Sequence, residues 1–211
     1  MPSLDTLLPF LGIAVLLGLA PGPDNIFVLL QSAMHGTRAG LTVVLGLCTG
    51  LLVHTAVVAV GLAALLAASV VAFTVLKIAG ALYLIYLAWQ AFRAPVGQIE
   101  RSDAKDSSVA SAKSMYWRGV VMNLTNPKVV IFFLAFLPQF VNAKQGHVAL
   151  QLMVLGFVFI LATLLVFGAI AWFSGVFGRV LMRSARVQRA VNWFAGTVFL
   201  ALAGKLALSQ R

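Results

Sequence analysis

Between Arg38 and Lys77 the chain contains no Asp, Glu, Lys or Arg. As one straight helix this run would extend about 57 Å at 1.5 Å per residue, nearly twice the roughly 30 Å hydrocarbon core of a bilayer. It must therefore turn once, near Ala67–Ala72, and supply two membrane spans. The other apolar runs are Leu4–Met34, Met115–Phe140, Val148–Phe173 and Ala190–Ala207, with the span after the turn running Val71–Phe92. Composition agrees: 62% of residues are hydrophobic and 9% charged, against roughly a quarter charged in a soluble domain. Such a chain cannot cover itself with polar surface. The expected fold is an all-α integral membrane protein of six transmembrane helices, with no room for a sizeable soluble domain.

Met1–Asp5 holds no Lys or Arg and carries an acid where a signal peptide is basic, so the first apolar run reads as a retained span. Arg93–Ser114, with Pro95, Gly97 and charges of both signs, reads as a flexible loop. The net charge of +10 does not point to nucleic acid, because the basic residues sit between apolar runs without interleaved aromatics. In a membrane protein that pattern sets orientation. Loops one, three and five hold Arg38, then Arg93, Arg101, Lys105, Lys113 and Arg118, then Arg179, Arg183, Arg186 and Arg189. The other side has Lys144 and Arg211, with Lys77 and Lys205 within snorkelling reach. Ten against four places these loops in the cytoplasm and both termini outside.

The halves of the chain parallel each other. Ala79-Gly80-Ala81-Leu82-Tyr83-Leu84 matches Ala195-Gly196-Thr197-Val198-Phe199-Leu200, and Pro23-Asp24-Asn25-Ile26-Phe27 matches Pro127-Lys128-Val129-Val130-Ile131. Residues 1–92 and 115–211 then form two three-helix repeats joined by the loop 93–114. An odd number of spans makes the repeats insert with opposite topology, a plan that puts transport sites at the repeat interface near the midplane.

The first and fourth helices are interrupted. Pro21 and Pro23 remove backbone donors with Gly22 between them, and the carbonyls and amides left over are tolerated at membrane depth only against protein or a water-filled cavity. Asp24 and Asn25 follow at once; the fourth helix repeats the device with Asn123, Asn126, Pro127 and Lys128. Pro127 lies about 14 Å along a helix from Arg118, close to the midplane. Asp24 and Lys128, each directly after the proline of its half, would face each other across the pseudo-twofold axis; ionisable residues at this depth point to function, the alternative being a structural ion pair that locks the repeats together.

His54 reads as a satisfied core histidine, and Gln31, Gln90 and Asn192 as helix-end or interhelical hydrogen bonders. Trp89, Trp117, Trp172 and Trp193 fall at helix ends, and Gly46, Gly50 and Gly61 read as sites of close helix contact. One cysteine, Cys48, excludes an internal disulfide and a CxxC motif. There is no phosphate loop, HExxH or nucleophile with a nearby base. The expectation is therefore no enzyme, no cofactor and no metal site, with uphill transport drawing on an ion gradient and Asp24 as the acid placed to carry a proton.

Pro21-Gly22-Pro23-Asp24-Asn25, then Arg118-Gly119, Asn123-x-x-Asn126-Pro127-Lys128, Phe132-Phe133 and Leu137-Pro138-Gln139-Phe140, resemble the LysE/RhtB family of amino-acid exporters over the whole chain. The resemblance implies efflux of amino acids or close derivatives across the inner membrane, driven by the proton-motive force, with a homodimer in the bilayer. The matched breaks place the site of such an alternating-access exporter between the two broken helices, where the helix N-terminus after Pro23, with Asn25 and Lys128, would hold the substrate carboxylate and Asp24 its ammonium group or a proton. Asn123 and Asn126 would add hydrogen bonds, and Pro21, Gly22, Pro23 and Pro127 would be hinges. The competing readings are an exporter of another small solute or a metal cation, and a non-transporting membrane scaffold.

Overall fold

The computed structural model describes residues 2–68, 70–95, 111–142, 145–174 and 184–208. The core of the polar loop (96–110) and Lys144, Arg179, Arg183 and Arg211 lie outside them. The described residues are helical throughout, without strands. The elements are α1 (Leu4–Leu19), α2 (Pro23–His35), α3 (Thr37–Ala68), α4 (Val70–Arg93), α5 (Ala112–Thr125), α6 (Pro127–Ile131), α7 (Val148–Trp172) and α8 (Ala185–Leu208). The chain leaves α6 through a π-helical turn, Phe132–Phe136, and a 3-10 turn, Leu137–Phe140.

Helix α3 ends at Ala68 and α4 begins at Val70, within the stretch Ala67–Ala72 where a turn is expected; residue 69 lies outside the described residues. Helix α8 starts at Ala185 rather than at the expected Ala190. Arginine is a good helix former, so the first turns of α8 absorb Arg186 and Arg189, which the apolar run alone had left in the loop.

Among the described residues four helices are long and apolar enough to cross a membrane. The pair α1–α2, and α5 with α6 and the turns after it to Phe140, qualify when each is taken as one crossing, bent by 65° and 51°. Both bends sit on the prolines. Pro23 and Pro127 each open the second segment at its first position, where the missing N–H costs nothing. Pro138 accounts for the turns that follow. Its ring crowds the carbonyl four residues back, and the helix before it widens, so that the Leu137 amide donates to Phe132 instead.

Helix α3 packs on α5 and α7, α4 on α8, and α1 on α7. The α3–α5 crossing is backbone on backbone. A Cβ added at Gly46 would strike the carbonyl oxygen of Tyr116, and one at Gly119 that of Val43. Gly50 makes room for the Asn123 side chain in the same interface. Among the described residues, nothing lies within 4 Å of a Cβ built at Gly61, unlike at Gly46 and Gly50. The matched glycines Gly80 and Gly196 admit Ala135 and the Phe92 ring. The outer surface is apolar: Val60 is 78% and Leu165 66% exposed, as lipid contact requires.

Gly119→Val forces α3 and α5 apart and will cost about 3 kcal/mol or more, the upper range for overpacking. Gly61→Val will be close to neutral. Thermal unfolding of the detergent-solubilised protein reads both; equal melting temperatures for the two variants would refute the close crossing.

Candidate functional site

The two breaks meet in the core. The last carbonyls of α1 have lost their amide partners to Pro21 and Pro23, and side chains fill the gap. Lys128 Nζ donates to the carbonyl oxygens of Ala20 (3.1 Å) and Leu17 (3.3 Å), and Asn25 Nδ2 donates to that of Gly18 (2.7 Å). A cation at a helix C-terminus is also where the helix dipole favours one. Gly22 gives Lys128 its room, as a Cβ there would lie 3.3 Å from Nζ. With φ −161° and ψ 177°, Gly22 is in extended backbone open to any residue, so space is its visible use.

Asn126 joins the halves. Its Oδ1 accepts from the Lys128 amide (3.0 Å) and caps α6, while its Nδ2 donates to Asp24 Oδ2 (2.7 Å). Asp24 lies in the first turn of α2, where the helix N-terminus favours a negative charge. Asp24, Asn123, Asn126 and Lys128 are all buried, at 3%, 3%, 4% and 7% exposure. Asp24 and Lys128 thus come together as their positions suggested, but their short hydrogen bonds go to Asn126 and to the α1 carbonyls. Asp24 Oδ1, Asn25 Oδ1 and Asn123 Oδ1 are buried acceptors without a hydrogen-bond partner, and buried polar atoms are rarely left so.

Two cavities meet at Lys128. A vestibule of about 780 Å³ is lined by Pro21, Gly22, Pro23 and Ile26, by Asn126, Pro127 and Lys128, by α4 from Tyr83 to Arg93 and on to Pro95, and by Asn192 and Phe199 of α8. It extends from both breaks to the exposed residues Arg93 and Pro95 at the end of α4, which form its mouth. Behind Lys128 is a chamber of about 20 Å³ lined by Asp24, Asn123, Thr163 and the apolar side chains around them. That is room for one water-sized group. Lys128 lines both spaces and is the partition between them.

Beyond the breaks, away from the mouth, a layer of phenylalanines closes the protein. Phe132 packs on Phe136 (ring centroids 5.0 Å apart) and Phe159 (5.1 Å), Phe133 on Phe159 (5.3 Å), and Phe10 on Phe140 (5.0 Å). The Lys205 ammonium lies 4.5 Å from the Phe140 ring centre, a cation–π contact. His54 fits the expected core role, with Nε2 3.4 Å from the Asn123 carbonyl oxygen and its ring 5.5 Å from that of Phe133.

The chain matches the family of LysE type translocators over residues 14–210. It belongs to that family. The relatives of this LysE-type translocator include the homoserine/homoserine lactone efflux protein of Salmonella typhi, 34% identical over 94% of this chain and 93% of that one. The leucine efflux protein of Klebsiella pneumoniae is 32% identical over 93% and 92%. An uncharacterised membrane protein, YrhP, of Bacillus subtilis is 30% identical over 98% and 100%. No solved structure matches. A translocator of this family is a multi-pass membrane transporter and not an enzyme.

Sequence reasoning singled out the break residues in this translocator but missed most of the vestibule wall. Tyr83, Leu87 and Phe199 look like any apolar helix residue until the fold turns them inward. The matched Ala-Gly steps held a signal, because Tyr83 and Phe199 sit at equivalent places in that parallel and line the same cavity. Gln90, expected to bond between helices or at a helix end, donates to the Tyr86 hydroxyl one turn back on α4.

Proposed function

We propose that this translocator is a secondary active exporter of amino acids or close derivatives, driven by the proton-motive force and working by alternating access in the cell (inner) membrane. The observation that carries the reading is the 780 Å³ vestibule running from Arg93 to both proline breaks and stopping there. A cavity of that size suits a small molecule. The efflux functions named for the relatives supply the substrate class.

The charge bias puts loops one, three and five in the cytoplasm and both termini outside. The vestibule mouth, at the start of the third loop, then faces the cytoplasm, and the phenylalanine layer faces outside. This is the conformation that loads from within. The packing pattern supports two inverted repeats, residues 1–92 and 115–211. Exchanging α1–α2 with α5–α6, α3 with α7 and α4 with α8 carries the α3–α5 contact onto α7–α1 and leaves α3–α7 and α4–α8 unchanged. Rocking of one repeat against the other, hinged at Pro21, Gly22, Pro23 and Pro127, would close the mouth and part the phenylalanines.

In this mechanism the substrate carboxylate enters first, toward Lys128 on the vestibule floor and the amides at the start of α2 and α6, with Asn25 and Asn126 beside them. Drawing the Lys128 ammonium off the α1 carbonyls opens the partition. The substrate ammonium then reaches Asp24 Oδ1 and Asn123 Oδ1, acceptors without partners on residues that line the inner chamber. On the outer side a proton arriving at Asp24 releases the substrate. The working unit in the lipid bilayer is a homodimer.

Cells preloaded with dipeptides test the exporter reading. Expression of the protein will speed efflux of one or more amino acids several-fold over empty vector, and an uncoupler will abolish the difference. Unchanged efflux of every amino acid, with the protein shown to be in the membrane, would overturn it. In a Cys48→Ser background, Asn192→Cys in inside-out vesicles will react with a hydrophilic thiol reagent, and Asn123→Cys will be protected until substrate is added. Equal labelling at both positions would remove the partition.

A further inference from the structure

Taking the exporter reading as its basis, we infer that the exported amino acids carry uncharged, apolar side chains, and that Tyr83, Leu87, Phe199 and Ile26 select them. These four form the wall of the vestibule between its mouth and the breaks. Tyr83 and Leu87 are four residues apart on α4 and share one face of the helix. Ala91 and Ala94 continue that face to the mouth, where Gln90 and Asn192 are the polar groups.

Among the described residues the charges around this wall are all of one sign. Of those that line the vestibule, the ionisable side chains of full charge are Arg93 at the mouth and Lys128 at the floor, and none is Asp or Glu. Arg93 is itself stacked on Trp89, with its guanidinium carbon 4.7 Å from the ring centre. Asp24 lies behind Lys128 in the inner chamber, a space that takes one ammonium-sized group and no side chain. An amino acid with a second cation on its side chain would satisfy one ammonium at Asp24. It would have to hold the other against aliphatic and aromatic groups, between two fixed cations. Burying an unpaired charge is costly, and like charges repel strongly in a site of low dielectric.

An anionic side chain fares little better. Lys128 is committed to the α-carboxylate and the α1 carbonyls, and Arg93 is out at the rim. An apolar side chain, in contrast, removes both its own surface and that of the wall from water. Selection of this kind reads polarity more than size, because a single methylene discriminates weakly in an apolar pocket. Leucine, methionine and phenylalanine should therefore travel together.

The experiment is efflux from cells preloaded with dipeptides of leucine, methionine, phenylalanine, glutamate, lysine and arginine. Wild type will export the first three about tenfold or more faster than the last three, which stay at the empty-vector rate. Leu87→Glu places the missing counter-charge in mid-wall; lysine efflux will appear and leucine efflux will fall. Leu87→Gln, polar without charge, will lower leucine efflux and admit no lysine. Tyr83→Glu, one turn deeper on the same face, is read alongside in case Leu87→Glu does not reach the membrane.

Wild-type efflux of lysine, arginine or glutamate as fast as leucine would overturn the inference and leave the exporter reading standing. So would a substrate pattern left unchanged by either glutamate variant present in the membrane. Efflux of none of the six by wild-type protein shown to be in the membrane would overturn this inference and the exporter reading on which it rests.

Discussion

Lys128→Met will lose both export and most of the folded protein. The substitution removes two kinds of partner at once. The carbonyl oxygens of Leu17 and Ala20, at 3.3 and 3.1 Å from Nζ, are left bare in an apolar surround, at about 1–3 kcal/mol each. The carboxylate of Asp24, which shares the inner chamber with Lys128, loses its opposite charge; removing one member of a buried charge pair costs about 3–5 kcal/mol. Methionine fills the same volume, so packing is not the cause. The two costs separate in a double variant. Asp24→Asn with Lys128→Met has no uncompensated charge and will recover several degrees of melting temperature over Lys128→Met alone, while the bare carbonyls keep it below wild type. Export will stay absent in both. A Lys128→Met protein that melts and transports like wild type would show that neither the tether nor the charge matters.

The fold was legible where lipid dictates it. An uncharged run too long for one crossing had to divide, and one helix ends at Ala68 while the next begins at Val70. Pro21 and Pro23, and Pro127, sit mid-run and break their helices, which bend there by 65° and 51°, whereas Pro9 is accommodated inside α1. The extra turn at the start of α8 was hidden because its arginines look like loop residues to a hydropathy reading, although they suit a helix that leaves the membrane. The candidate site was half legible. Asp24, Asn25, Asn123, Asn126 and Lys128 stood out because polar groups beside a break in an apolar run have few other uses. Their partners did not. That Lys128 reaches back 108 positions to the Ala20 carbonyl, and that Asn126 and not Lys128 bonds Asp24, follow from how the repeats are packed. The vestibule wall was invisible for a simpler reason: Tyr83 and Phe199 differ from lipid-facing neighbours such as Leu82 and Leu200 only in the direction they point.

Asp24→Asn will stop export, at a smaller cost to the fold than Lys128→Met. Asparagine has the shape of aspartate, and its carbonyl oxygen can take the Asn126 Nδ2 bond that Asp24 Oδ2 accepts at 2.7 Å. Its amide nitrogen then stands where Asp24 Oδ1 was, an atom with no hydrogen-bond partner in the native protein. The variant leaves the buried Lys128 ammonium without its opposite charge, at up to about 3–5 kcal/mol, but that ammonium keeps its bonds to the Leu17 and Ala20 carbonyls, so the melting temperature will fall below wild type and stay above that of Lys128→Met. What it cannot do is carry a negative charge or a titrating proton. Losing an ion pair to the substrate ammonium, worth about 3 kcal/mol, lowers export roughly 100-fold or more. Residual export will no longer respond to an uncoupler. In vesicles with a pH-sensitive dye, adding substrate will move protons for wild type and not for the variant. Asp24→Glu keeps the charge on a longer arm in a chamber of about 20 Å³ and will keep coupling while slowing transport. If Asp24→Asn exports at the wild-type rate and still collapses with an uncoupler, the proton enters elsewhere, and Asp24 is only a structural bridge between the two halves.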